Sequence, residues 1–392
     1  MTNFKAPDQL DPDSRRDPRS PKKGKAPENL RAERRLPAAS IAAYRGMWRT
    51  FSALRHDAIA SGMEHRKRRS RMKRQKTDKR LALTARDLAI FELLERYRYL
   101  RSTFIHAFVG GASETRFKER LGDLYHEGGY LNRPEQQWET AHSRYLPAIY
   151  ENSNRAREVL AAHGKLAEPC PHMPYGAGAG RQFVHSLMIC EVLAAIELAT
   201  VSDPNLRFIA WPEILAKAPK ATRNDAHPMR LPVSARLDKT IVLSREYVVP
   251  DGLFGLEYRM TGERSYRFFA LEIDRGTMPI HRSNALQSSF SAKLRAYRDI
   301  AERDVHKSRL GIPNLLILTV TSSETRKDNM MSTLSNEAGR GAMFLFKAVA
   351  DLSLPAGRQD RARRVRGELW ERSGHPALDI FSDTECQVER DG

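Results

Sequence analysis

The chain has 392 residues, 41% of them hydrophobic, enough for two or three domains with real cores. Its formal net charge is +18, but residues 1–80 hold 23 Lys and Arg against 9 Asp and Glu, which leaves the rest near neutral at +4. A basic arm ahead of a neutral body suits a polyanion, bound through phosphate contacts and counterion release. The cysteines, Cys170, Cys190 and Cys386, are far apart and odd in number, which argues against a disulfide framework and for a reduced, cytoplasmic setting. Cys170-Pro171-His172 has no second ligand pair at zinc spacing. The longest apolar run, Phe183–Ala199, is broken by His185, Glu191 and Glu197 and reads as a buried helix, not a membrane span. The N-terminus shows no apolar signal core.

In chain order, residues 1–37 are rich in Pro, Asp, Arg and Lys and read as disorder. Ser40–Met63 spaces Ile41, Tyr44, Trp48, Phe51 and Leu54 as one face of a helix. Residues 66–80 then carry ten cations in fifteen positions, among them Arg66, Lys67, Arg68, Arg69, Arg71, Lys73 and Arg74. Such a run is either a solvated linker or a nucleic-acid arm, and residues 1–80 are taken together as that arm.

Residues 81–165 follow a clearer plan. Thr84 caps a helix whose core face is Leu88, Ile90, Phe91, Leu93 and Leu94. Ser102 or Thr103 opens a second, with Phe104, Ile105 and Phe108, ended by Gly110-Gly111. Ser113 or Thr115 opens a third, Arg116–Glu127, with Phe117, Leu121 and Leu124 inward and Arg116, Lys118 and Arg120 outward. Short strands at Tyr130–Arg133 and Tyr145–Tyr150 flank a polar loop, and Asn154–His163 closes the segment. Three helices and a hairpin predict a winged helix-turn-helix, with the third helix as major-groove reader and Arg133 on the wing. Some winged helices contact protein instead, and that alternative stays open.

A linker over 166–180 leads to a second domain, 181–355, with 356–392 as a C-terminal tail. Val248–Glu257 and Tyr266–Ile273 read as strands joined by a turn at Thr261-Gly262-Glu263-Arg264. Alternation puts Ala270, Glu272 and Asp274 on one face and Phe269, Leu271 and Ile273 on the other. Asp251, at a strand end, should stand beside Glu272. Helices at Ala285–Asp299 and Glu324–Asp351 bracket a buried strand at Asn314–Val320. The order helix, three strands, helix, strand, with Pro250-Asp251 and Glu272-x-Asp274, resembles the PD-(D/E)xK nuclease fold, an αβββαβ arrangement. A salt-bridged surface hairpin is the plainer reading of the same residues.

Residues 81–350 together resemble the replication-relaxation family of plasmids and other mobile elements. The resemblance rests on Leu83-Thr84-x-Arg86-Asp87, Tyr97-Arg98-Tyr99-Leu100, Arg120-Leu121-x-x-Leu124-Tyr125, Pro147–Tyr150, His185-Ser186-Leu187, Pro250-Asp251 and Glu272–Thr277. It implies a winged-helix half bound to double-stranded DNA, a nuclease-like half, and relaxase or replication proteins as partners. In the nuclease reading, Asp251 and Glu272 hold Mg²⁺, or Mn²⁺ in its place, with Glu191 as an added ligand and Asp274 in reserve. The position two after Glu272, where the pattern has Lys, is Asp274; Lys293, Arg275 or Arg282 would have to supply the cation. His185 reads as a supporting core histidine. The alternative is a non-catalytic regulator or mobilisation accessory with a degenerate nuclease fold.

Overall fold

The computed structural model describes residues 69–111, 113–139, 146–166, 179–201, 203–234, 246–260, 263–276, 280, 290–336, 341–349 and 369–383. They belong to one unit, Arg69–Gly392. The expected helix at Ser40–Met63, and Arg66, Lys67 and Arg68, lie outside the described residues, as do Arg282 and Cys170-Pro171-His172.

The first section begins with α1, Ala85–Tyr97, where Thr84 and Asp87 form a capping box. It continues through β1, Leu100–Arg101, α2, Ser102–Val109, and α3, Glu114–His126. Ser113 caps α3, while α2 has Arg101 at its N-cap with no side-chain bond, so neither Ser102 nor Thr103 serves there. Then come β2, Leu131–Asn132, β3, Ile149–Asn152, and α4, Asn154–Ala162. The strands form one antiparallel sheet in the order β1-β3-β2. Residues 69–80, expected in the arm, instead lie against α3 and β2 through bonds from Arg69, Arg74 and Lys79. Each carries a cation that finds a carboxylate or carbonyl there, and this holds the strip down.

A helix of 23 residues, α5, Ala179–Val201, opens the second section. Its stretch Phe183–Val201 is long and apolar enough to cross a membrane. Here it packs inward on both sections, with Cys190, Ala194 and Ile196 fully enclosed, so it serves as the central core helix. β4, Leu206–Ala210, is followed by the short helices α6, Trp211–Lys217, and α7, Lys220–Arg223. A small ladder pairs β5, Leu231–Pro232, with β6, Tyr247–Val248. Next are β7, Gly252–Met260, β8, Glu263–Asp274, α8, Phe290–Glu302, and α9, Val305–Leu310. The chain ends in β9, Leu316–Thr321, α10, Glu324–Ser335, β10, Phe344–Ala348, β11, Trp370–Arg372, and β12, His375–Leu378.

Seven strands make one mixed sheet, β12-β11-β10-β9-β8-β7-β4, parallel across β8-β9-β10 and antiparallel elsewhere. Its two faces are covered separately. Phe269, Leu271 and Ile273 join α5 and the first section in one core, while Ala270 and Phe268 join α8, α9 and α10 in another. The alternation read from the sequence therefore holds along β8.

Four expectations are corrected. The strand foreseen at Val248–Glu257 is broken: Val248 pairs with β5, and β7 starts only at Gly252, so Asp251 stands in the bend at the head of β7. The hairpin is tighter than foreseen, because Met260 pairs with Glu263 and Arg259 with Arg264, leaving two residues to turn. The helix foreseen over Glu324–Asp351 stops at Ser335, and Phe344–Ala348 is a strand buried on both faces, whose apolar run hides the period-two signal. Within the foreseen tail, Trp370, Leu378, Ile380 and Phe381 are buried in the sheet core.

Candidate functional site

Asp251, in the bend at the head of β7, and Glu272, on β8, lie one step beyond the Gly252–Leu271 pair. Two side chains reach Glu272 from α8: Lys293 Nζ bonds Oε2, and Tyr297 donates its hydroxyl to Oε1 at 2.5 Å. Lys293 and Tyr297 are four residues apart, on one stripe of the helix. At Glu272 the acidic face thus lies beneath α8, and Glu272 is only 6% exposed. At Asp251, His185 Nε2 donates to Oδ1 at 3.3 Å and the Ile273 amide donates to Oδ2 at 2.9 Å.

The two carboxyls are pushed apart in acidity. Burial drives Glu272 above the usual carboxylate range; the Asp251 charge adds to this, and Lys293 and Tyr297 pull back only in part. Burial works the same way on Asp251, but the His185 hydrogen bond, the Lys293 charge and the Ile273 amide outweigh it and hold Asp251 low. Burial and the Glu272 charge together keep the Tyr297 hydroxyl far above its ordinary range, so it acts as a donor.

The other acids go elsewhere. Asp274 is taken by Arg326 at the start of α10, through Nε at 3.0 Å and Nη2 at 2.9 Å. Glu191 accepts from Arg101 Nε at 2.6 Å, with side chains 1% and 5% exposed, which ties α5 to the first section. The expectation that Glu191 joins Asp251 and Glu272 is therefore corrected. Arg275 is exposed. Among the described residues, no three His, Cys, Asp or Glu side chains are grouped to hold a metal ion. Tyr297 and Arg326 escaped the sequence reading; the four-residue spacing from Lys293 was the only signal for Tyr297.

The second candidate surface surrounds α3. Arg116 is exposed, and Lys118 pairs with Glu114 at 3.0 Å. Arg120, foreseen as outward, donates Nε to Asp87 at 2.9 Å and Nη2 to the Ala82 carbonyl at 2.6 Å, so it holds α3 to α1. Arg69 bonds Asp123 at 2.8 Å and Glu127 at 3.1 Å. Arg71 bonds the Leu146 carbonyl and lies over Trp138; Arg74 bonds the Tyr125 and Leu131 carbonyls. Arg133 donates to the Arg71 carbonyl and to the Tyr150 hydroxyl. By contrast, Lys73, Lys76, Arg80 and Arg116 are exposed, and their side chains have no partner among the described residues.

A sheet with helices on both faces, a small helical section before it and an acid-and-lysine cluster at the head of β7 define a mixed α and β protein. The family model for replication-relaxation proteins matches residues 91–316, and the chain belongs to that family. Comparison with curated proteins and with solved structures gives no match.

Proposed function

We propose that this protein binds DNA through a winged-helix section, 85–162, and cleaves a phosphodiester bond at Asp251, Glu272 and Lys293 during replication or relaxation of a plasmid or other mobile element. The observation that carries this reading is the convergence of Lys293 on Glu272 beside Asp251. A PD-(D/E)xK-type site needs that trio, and here the lysine comes from the following helix, not from the position now held by Asp274. The order helix, strand, helix, helix, strand, strand over 85–152 supports the winged-helix assignment.

The donor set suits Mg²⁺, which takes oxygen ligands and commonly accepts one or two carboxylates, filling its shell with water and phosphate. Asp251 and Glu272 would hold the ion; when bound, it would polarise the phosphate and acidify a water. The chain's own residues prepare the site. His185 and the Ile273 amide fix both oxygens of Asp251, Tyr297 fixes one oxygen of Glu272, and Lys293 places a positive charge against the other.

One observation favours a second reading. Glu272 is buried with both oxygens already bonded, which suits a scaffold that binds DNA without cutting it. A nicking assay on supercoiled plasmid separates the two. The expected result is nicking by the parent with Mg²⁺ or Mn²⁺, none with EDTA, and none by Asp251→Asn or Lys293→Ala, with DNA binding retained. If the parent fails to nick with either ion, the scaffold reading stands.

A further inference from the structure

The row of side chains leading to Asp251 has no part in the reading above. From Tyr247 to Asp251 burial alternates: Tyr247 and Val249 are exposed, Val248 and Pro250 are buried, and Asp251 is half-buried. The alternation puts Tyr247 and Val249 on the solvent side of the segment that leads into the bend at Asp251. Four residues span at most about 14 Å, so the Tyr247 backbone lies within that reach of Asp251. Pairing of Tyr247 with Pro232 fixes the backbone beneath the ring. The Arg230 guanidinium covers one ring face, 4.3 Å from its centroid, yet Tyr247 remains 38% exposed. Val184, beside His185 on α5, is exposed as well.

A ring fixed at its backbone and backed by arginine offers a flat face for a nucleobase and a positive charge for the adjoining phosphate. Within a continuous duplex, bases are stacked on both sides at about 3.4 Å and have no face left to give. Only a base at an end, in a gap or in a single strand can meet Tyr247. A strand whose base meets the ring has its backbone within reach of Asp251, four residues along the chain.

We propose that Tyr247, backed by Arg230, stacks an unpaired base beside the phosphate held at Asp251 and Glu272, so that the preferred substrate carries single-stranded DNA at the reacting phosphate. This rests on the reading of that cluster as a DNA phosphate site. The test uses full-length protein and oligonucleotides carrying 2-aminopurine, either in a continuous duplex or in a single-stranded tail or gap, with EDTA present to prevent cutting. The parent is expected to bind tailed or gapped DNA about tenfold more tightly than duplex and to quench the unpaired probe. Tyr247→Ala should lose both effects and Tyr247→Phe should keep both, since the ring and not the hydroxyl is used; matching thermal midpoints establish that both variants fold. A parent without the preference, or a Tyr247→Ala protein that keeps preference and quenching, overturns the proposal. Plasmid nicking with Mg²⁺ is measured alongside. Preference lost in Tyr247→Ala with no nicking by the parent would uphold the stacking and remove the cutting; nicking by the parent with an unaltered Tyr247→Ala would do the reverse.

Discussion

Around α3 the conspicuous residues are cations and most of them are engaged by acids or carbonyls; along β8 they are acids and most are engaged by cations. Arg69 and Lys79 both close on Asp123, and Arg120 closes on Asp87. In mirror fashion Glu272 meets Lys293, and Asp274 meets Arg326. The same chemistry that marks each region as charged therefore also withdraws most of its charges from a ligand. What remains differs in kind: a set of exposed cations, Lys73, Lys76, Arg80 and Arg116, in one region, and a half-buried acid four residues after an exposed tyrosine in the other. The first suits contact along a backbone; the second suits one phosphate held in one place.

The largest expected effect comes from the buried pair that joins the two regions. Arg101→Met would remove the guanidinium from the enclosed Glu191, at a cost of about 3–5 kcal/mol. Urea denaturation should show that loss, and Arg101→Met with Glu191→Leu should recover most of it. A single variant as stable as the parent would mean the regions are not coupled through this pair.

Next comes a contrast within α3. Arg120→Ala strips the cation from Asp87, whose side chain is 1% exposed, and should cost about 1–3 kcal/mol. Arg116→Ala should change stability by no more than about 0.5 kcal/mol while weakening DNA binding. If Arg120→Ala instead affects only DNA binding, the division between holding and reading cations in this helix fails. Replacing Lys73, Lys76 and Arg80 with Ala should lower the slope of log affinity against log salt by about 0.9 for each one that reaches a phosphate. An unchanged slope would place the phosphate contacts elsewhere.

The smallest effect is one of pH. His126 accepts the Gln75 amide at Nδ1, and burial, with the Arg133, Arg69 and Arg74 charges against the weaker pull of Glu127, pushes its pKa down to about 4. The unfolded chain, near its ordinary value of about 6.5, takes the proton first, so stability is complete above that value and falls as pH drops toward 4. Thermal midpoints measured across this range should fall less steeply in His126→Gln than in the parent.

Much of the fold was readable because its signals are local. The Thr84–Asp87 capping box, the Ser113 cap and the alternation of Phe269, Leu271 and Ile273 against Ala270 and Glu272 all lie within a few residues. The pairing of charges was not readable, since Arg120 meets Asp87 across 33 positions and Arg326 meets Asp274 across 52. No periodicity carries information over such distances. Asp251, Glu272 and Lys293 stood out as residue types, but the roof of α8 over Glu272 and the use of Glu191 in a distant pair depend on packing alone. The closing strands β11 and β12 have three and four residues, too few for any pattern to declare itself.

Those last strands have a consequence for assembly. Beyond β12 the chain returns across the sheet: the Ile380 carbonyl accepts from Tyr258, Asp383 from Ser265, and the Ser382 carbonyl from Arg267, over separations of 122, 118 and 115 residues. Closing loops of that size is slow, so these contacts are expected to form after the strands they cover. Until then β10 is a bare apolar edge ready to pair with another chain. A fragment ended at residue 355 would carry that edge permanently. Expressed alone, it should aggregate where a chain reaching residue 383 stays in solution, because β11 covers that edge and reaches the sheet late from its own sequence.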